Sequence, residues 1–157
     1  MKTLRLGSFA IAAIAAGCWL ARGVAAGDAS PPVLDALFPS GRETLALAAL
    51  AERVTLAPGE ELRVVELARD ASTSHHLVAI RGQETPHRHD HHDLLVVMLR
   101  GHGRMLLGAE ERAVGEGSIL YVPRGSVHAF RNESAEPAVA YAVYVPAFDG
   151  RDRLTAP

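Results

Sequence analysis

From Arg53 onwards the chain is cut every few residues by turn-forming positions. The segments RVTLA, LRVVELA, HLVAI, LLVVML, RMLL, RAV, SILYV, VHAFR and AVAYAVYV are separated by PGEE, RDASTS, RGQETP, RGHG, GAEE, GEG, PRGS and NESAEP. Apolar runs of about four to eight residues are the length of strands, and shorter than most helices. Gly, Pro, Asn and Asp between them supply the backbone geometry that reverses a chain. Such close, regular spacing predicts an all-β barrel or sandwich. At 157 residues the chain is the size of one domain. The region before it is less definite. Val33 to Phe38 fits one short helical turn, and TLALAALAERV, from Thr44, fits helix or strand, because an alanine-rich run shows no decisive period.

The N-terminus has a different composition. Lys2 and Arg5 precede an apolar run from Leu6 to Ala21, and small residues follow. That is the layout of a secretory signal peptide. The run is shorter than the roughly 20 residues that span a bilayer. Residues 1–26 are therefore expected to be a signal cleaved after Ala26, which makes the protein exported, to the periplasm or cell envelope. AAGC, ending at Cys18, also resembles a bacterial lipobox, so lipidation of Cys18 is the alternative. A lipid anchor there would be the protein's link to a membrane. Residues 27–43 then read as a Pro-rich lead-in and 44–157 as the folded domain.

Removal of residues 1–26 takes away Lys2, Arg5 and Arg22, leaving 13 basic residues against 18 acidic ones, a net charge of −5. That balance argues against nucleic acid or anionic lipid as a partner. Lys2 is the sole lysine and Cys18 the sole cysteine. A mature domain without them has no Schiff-base lysine and no thiol nucleophile. No G-x-S-x-G nucleophile elbow is present, and Gly101-His102-Gly103 lacks the last glycine of a dinucleotide loop.

The residues with chemistry to offer are histidines. HRHDHHD, His87 to Asp93, places four histidines and two aspartates after a Pro and before an apolar strand. In an extended segment, residues two apart share a face. His87, His89, His91 and Asp93 would then project together, either as metal ligands or as an unoccupied polar loop. A second segment, GSILYVPRGSVHAFRN, has Gly117, Pro123, Gly125, His128 and Asn132 in the order G-x5-P-x-G-x2-H-x3-N.

The second segment resembles the second motif of the cupin superfamily at every defined position. The first resembles the first cupin motif, G-x5-H-x-H-x3or4-E-x6-G, through His87, His89 and Gly101. There are two departures. The glutamate slot holds Asp93 if three residues follow His89, with seven then preceding Gly101; with four, it holds Leu94, which cannot ligate. The expected first glycine falls at Arg81, with Gly82 one place later.

The resemblance implies a cupin jelly-roll β-barrel that binds one divalent transition metal through His87, His89 and His128. Asp93 is expected as a fourth ligand, its extra residue taken up by a bulge or by the turn before Gly101; His92 or water is the fallback. Three imidazoles and a carboxylate leave positions open on Fe, Mn or Ni, whereas Zn tends to close at four. His91 and His92 are expected beside the ligands. Phe130, on the face of His128, is expected in the cavity wall. One of His75 and His76 can face the barrel, and His102 is expected in solvent. The implied function is a metal-dependent enzyme, oxygenase-like or a lyase or isomerase, acting on a small polar molecule. A small-ligand or metal-binding module of the envelope is the alternative, and a cupin that has lost its metal is a third. Small cupins commonly form homodimers, which is the expectation here.

Overall fold

The computed structural model describes residues 32–38 and 41–156. The expected signal segment, with Cys18, lies outside the described residues. Among those described, no helix is long and apolar enough to cross a membrane.

The elements run β1 (Val33–Phe38), β2 (Gly41–Ala46), α1 (Leu47–Ala51), β3 (Leu62–Arg69), β4 (Ser74–Ile80), β5 (His87–Arg88), β6 (Asp93–Arg100), β7 (His102–Leu107), β8 (Glu110–Gly115), β9 (Ile119–Val122), β10 (His128–Asn132), β11 (Ala138–Val145) and β12 (Leu154–Thr155). Two five-stranded sheets form a jelly roll, in the orders β12-β5-β10-β7-β8 and β3-β4-β11-β6-β9. Their named ladders are antiparallel. β1 and β2 form a separate hairpin. This corrects the helical turn expected at Val33 to Phe38: six consecutive Cα pairs from Val33–Ala46 to Phe38–Gly41 make an extended pair. The ambiguous run after Thr44 divides, its first residues completing β2 and Leu47–Ala51 forming α1.

Side-chain alternation explains two separate cores. On β4 and β11, Val78, Ile80, Ala138, Ala140, Ala142 and Tyr144 face the barrel, where they meet Leu94, Met98, Met105, Val122 and Phe130. The intervening Leu77, Ala79 and Val139 face outwards and are covered by Leu50, Ala51 and Val54. Both strands are thus buried on both faces, which is why AVAYAVYV is nearly continuously apolar rather than alternating.

One irregularity bears on the site. Val139 and Ala140 of β11 pair with Arg100 and Met98 of β6, so Leu99 is an extra residue in β6. The bulge lies beyond the histidine segment, one residue before the end of β6. Gly101 then turns the chain with φ 85°, a conformation that favours glycine. Two residues on, a Cβ at Gly103 would lie 2.1 Å from the Arg131 carbonyl oxygen and 2.8 Å from the Phe130 ring. β7 and β10 approach closely there because Gly103 has no side chain, and Phe130 takes the space.

Candidate metal centre

β5 is short, but its two residues set the site. His87 pairs directly with His128 of β10 on one side and with Thr155 of β12 on the other. His89 follows just beyond the strand. The ring centroids of His87 and His128 are 4.3 Å apart, and that of His89 is 5.3 Å from each. All three side chains are buried, and one ring nitrogen of each lies within 4.8 Å of the others.

Hydrogen bonds fix which nitrogens face inwards. His87 Nδ1 donates to Thr85 O at 3.0 Å, and His128 Nδ1 donates to Ser126 O at 3.1 Å. His89 Nδ1 donates to the carbonyl of Asp152. With each Nδ1–H engaged by a backbone oxygen, each Nε2 carries a free lone pair. His89 Nε2 is buried without a hydrogen-bond partner, the usual sign of a missing one. Arg153 Nη2 also lies 3.2 Å from His87 Nδ1. Both groups are donors in this tautomer, so that approach places positive charge beside the ring rather than adding a hydrogen bond.

Burial holds the imidazoles neutral. It lowers the pKa of His87 to about 3, aided by His128 and Arg153, and that of His128 to about 4. His89 is lowered for the same reason, against the raising effect of Asp152. Three neutral imidazoles with inward lone pairs are a donor set suited to a divalent transition metal.

Asp93 is not brought to this cluster. Its carboxylate accepts hydrogen bonds from Arg124, from the backbone N–H at 2.9 Å and from Nη2 at 2.7 Å, which lower its pKa to about 2. The next residue, Leu94, is buried and lines the cavity with His87 and His128. The motif is therefore read with four residues after His89, and the position expected to ligate holds a methyl-bearing side chain. The bulge at Leu99 does not change this, because it lies beyond both residues.

His91 and His92 exchange the places that strict alternation predicts. The chain bends at Asp90 and His91 instead of remaining extended. His91 is exposed, and His92 is buried with its ring centroid 6.4 Å from that of His89. His92 Nδ1 donates to Asp152 Oδ2 at 2.6 Å. Phe130 is buried and lines the cavity, on the face of His128. His76 faces the barrel, its Nε2 2.9 Å from Ser74 Oγ, while His75 lies on the other face, 2.6 Å from the Tyr141 hydroxyl. His102 is exposed at the start of β7.

A cavity of about 70 Å³ adjoins His87 and His128. Its walls include Leu94, Met98, Met105 and Phe130, with Glu84 and Tyr144 as polar groups. Glu84 is a functional candidate that the sequence did not reveal, because it sits in a segment that reads as a turn. Burial raises its pKa, while the Phe130 N–H, donating to Oε2 at 3.1 Å, and Arg153 Nη2, 3.6 Å from Oε1, act the other way. Burial also pushes the Tyr144 hydroxyl up to about 12. Asp152 and Arg153 were likewise hidden, in a polar stretch without a motif.

Fold and cluster together define the class: a small jelly-roll barrel with a three-histidine site fit for a metal ion. The chain matches the Cupin domain family over residues 74–144. An uncharacterized protein of Aquifex aeolicus (strain VF5) is 39% identical over 95 residues, covering 60% of this chain and 78% of that one. TT1209 from Thermus thermophilus is similar in structure, with 26% identity, a TM-score of 0.56, and 62% of this chain and 94% of that one covered. An uncharacterized conserved protein with a double-stranded β-helix domain from Klebsiella pneumoniae has 19% identity and a TM-score of 0.59, with 72% and 96% covered. The chain belongs to the cupin superfamily.

Proposed function

We propose that this protein is an exported, metal-dependent cupin enzyme acting on a small polar molecule, of oxygenase, lyase or isomerase type. The observation that carries this reading is the convergence of His87, His89 and His128, whose Nδ1–H groups are all taken by backbone carbonyls. Such a triad grips one divalent ion and leaves coordination positions for exchangeable ligands. The lack of a carboxylate in the set alters the choice of ion. Mn suits oxygen ligands, whereas Fe, Ni and Zn all suit imidazole, so the three-histidine set favours these three.

When bound, the ion supplies Lewis-acid polarisation of a coordinated small molecule. The protein's own residues do the rest. Leu94, Met98, Met105 and Phe130 make an apolar wall that limits water near the histidines. Glu84, buried and raised in pKa, can hold or release a proton at the edge of the same cavity. The cavity's size restricts that part of the ligand to a few heavy atoms. Export rests on the composition of residues 1–26.

The test is the metal content of the untagged mature domain, followed by substrate screening of the loaded protein under oxygen. Near one equivalent of iron, nickel or zinc is expected for a single three-histidine site. Absence of metal after anaerobic reconstitution would overturn the reading. Stoichiometric metal with no turnover in the screen would favour a binding module.

A further inference from the structure

The residue that organises the first histidine segment lies far from it in sequence. Asp152 is buried, and four hydrogen bonds converge on it. Its Oδ1 accepts from the Asp90 N–H at 3.0 Å, and its Oδ2 accepts from the His91 N–H at 2.8 Å and from His92 Nδ1 at 2.6 Å. Its main-chain carbonyl accepts from His89 Nδ1. The segment that carries it is fixed in turn. β12 pairs with β5, and the Ala156 N–H donates to Pro86 O at 2.9 Å.

Each of these contacts meets a local need. Residues 90 to 92 leave the ladder after β5, so their backbone N–H groups need acceptors from elsewhere. A carboxylate that takes two of them, together with an imidazole N–H, holds the bend in one conformation through charge-assisted bonds. His89 has a different need. No strand partner fixes its ring, and the Nδ1–H to carbonyl bond sets both its tautomer and its plane. Burial alone would raise the Asp152 carboxyl, but the His92 ring and the two backbone donors outweigh it and bring it to about 2, so the acceptor is ionised at neutral pH.

We infer that Asp152 is a positioning residue of the histidine centre: its carboxylate holds the 90–92 backbone and its carbonyl turns His89 Nε2 towards His87 and His128. The inference rests on reading that cluster as a metal site, and it makes the segment 151–156 part of the site rather than a tail beside it.

The experiment compares the full protein with Asp152→Ala and Asp152→Asn in two measurements. In the first, Zn(II) and Co(II) affinities are measured by competition with a chromophoric chelator. Asp152→Ala keeps the main-chain carbonyl but releases the segment that carries it from residues 90–92, so the His89 Nδ1–H loses a fixed acceptor. The weakening of about 10- to 100-fold that follows loss of an outer partner of a ligating histidine is expected. Asp152→Asn should fall between, since its amide oxygen keeps one acceptor while its NH2 confronts a backbone donor. In the second, nitrogen-15 NMR of the metal-free protein reads the His89 tautomer. The unaltered protein should show Nδ1–H, and Asp152→Ala, whose carbonyl is no longer held against the ring, should populate Nε2–H as well.

A residue that only anchored the fold would lower the melting temperature without moving the tautomer or the affinity. Unchanged affinity with an unchanged tautomer therefore overturns the inference. Should Asp152→Ala fail to fold, Asp152→Asn decides by the same two readouts. If the unaltered protein binds neither ion, the metal reading falls. The tautomer measurement needs no metal and still decides whether Asp152 sets His89.

Discussion

Asp93 and Arg124 form a two-point ion pair, with Nη2 2.7 Å from Oδ2 and Nε 3.2 Å from Oδ1. The pair occupies the carboxylate that the resemblance to the first cupin motif offered as a fourth ligand. Asp93→Ala is therefore expected to leave metal content and affinity unchanged. Because the pair is open to solvent and screened by salt, only a small fall in melting temperature should accompany it. A marked loss of bound metal in that variant would return Asp93 to the ligand set.

His128→Ala is expected to do the opposite. One of three ligands goes, so bound metal should fall from about one equivalent to background in elemental mass spectrometry. The far-ultraviolet circular dichroism of a β protein should persist, since His128 is a single position in β10 and its ladder bonds are backbone ones.

Leu94→Glu tests the site from the other side. The leucine faces the cavity beside His87 and His128, so a glutamate there would put a carboxylate within reach of the histidines. The expected outcome is tighter Mn(II) binding than in the unaltered protein, since oxygen ligands suit that ion. Without metal the variant should melt at a lower temperature, because a buried carboxyl then has no counter-charge. Thermal melts with and without Mn(II) check both parts.

The metal-free protein should lose stability in acid within a defined window. An unfolded histidine titrates near pH 6.5, as an approximate reference value. In the fold, burial lowers His87 to about 3 and His128 to about 4. Between those values and 6.5 the unfolded chain binds protons that the native one refuses, so stability falls as pH falls. Above 6.5 their contribution is fully present. Urea melts of apo protein at pH 7.5 and pH 5 should show the lower midpoint at pH 5. Equal midpoints would mean that the buried histidines are already protonated or fully solvated.

Gly103→Ala should be costly for its size. The added methyl would meet the Phe130 ring and the Arg131 carbonyl, which is backbone of the β10 strand paired with β7. Overpacking of this kind costs about 3 kcal/mol. Denaturant melts would show it, and displacement of Phe130 should loosen the cavity wall.

The strands and the histidine triad were legible because they depend on local pattern. Runs such as LLVVML and AVAYAVYV sit between turn residues, and the two cupin motifs carry His87, His89 and His128 at fixed spacings. What escaped depends on where extended geometry stops. Alternation from His87 holds through His89 and then fails, since the chain bends at Asp90 and His91; that reverses the places of His91 and His92. Asp93 looked like a ligand by charge, but its carboxylate pairs with Arg124 while Leu94 turns into the cavity. Asp152 could not be found by spacing at all, because nothing in RDRL marks it as the partner of a segment about sixty residues earlier. The β1–β2 hairpin was missed for a simpler reason: a short apolar run after two prolines has no period to read.

The β12–β5 pairing has a consequence for the order of events in the protein's life. His89 takes its orientation from a residue 63 positions later, so a chain lacking that stretch holds the histidines but not their arrangement. The site cannot form piecemeal during synthesis, and a partly unfolded chain offers only loose imidazoles. Capture of an ion is then an event that follows closure of the barrel, in whatever compartment the closure takes place. If the proposed export takes place before the chain folds, the choice of metal falls to the compartment that receives the protein rather than the one that makes it.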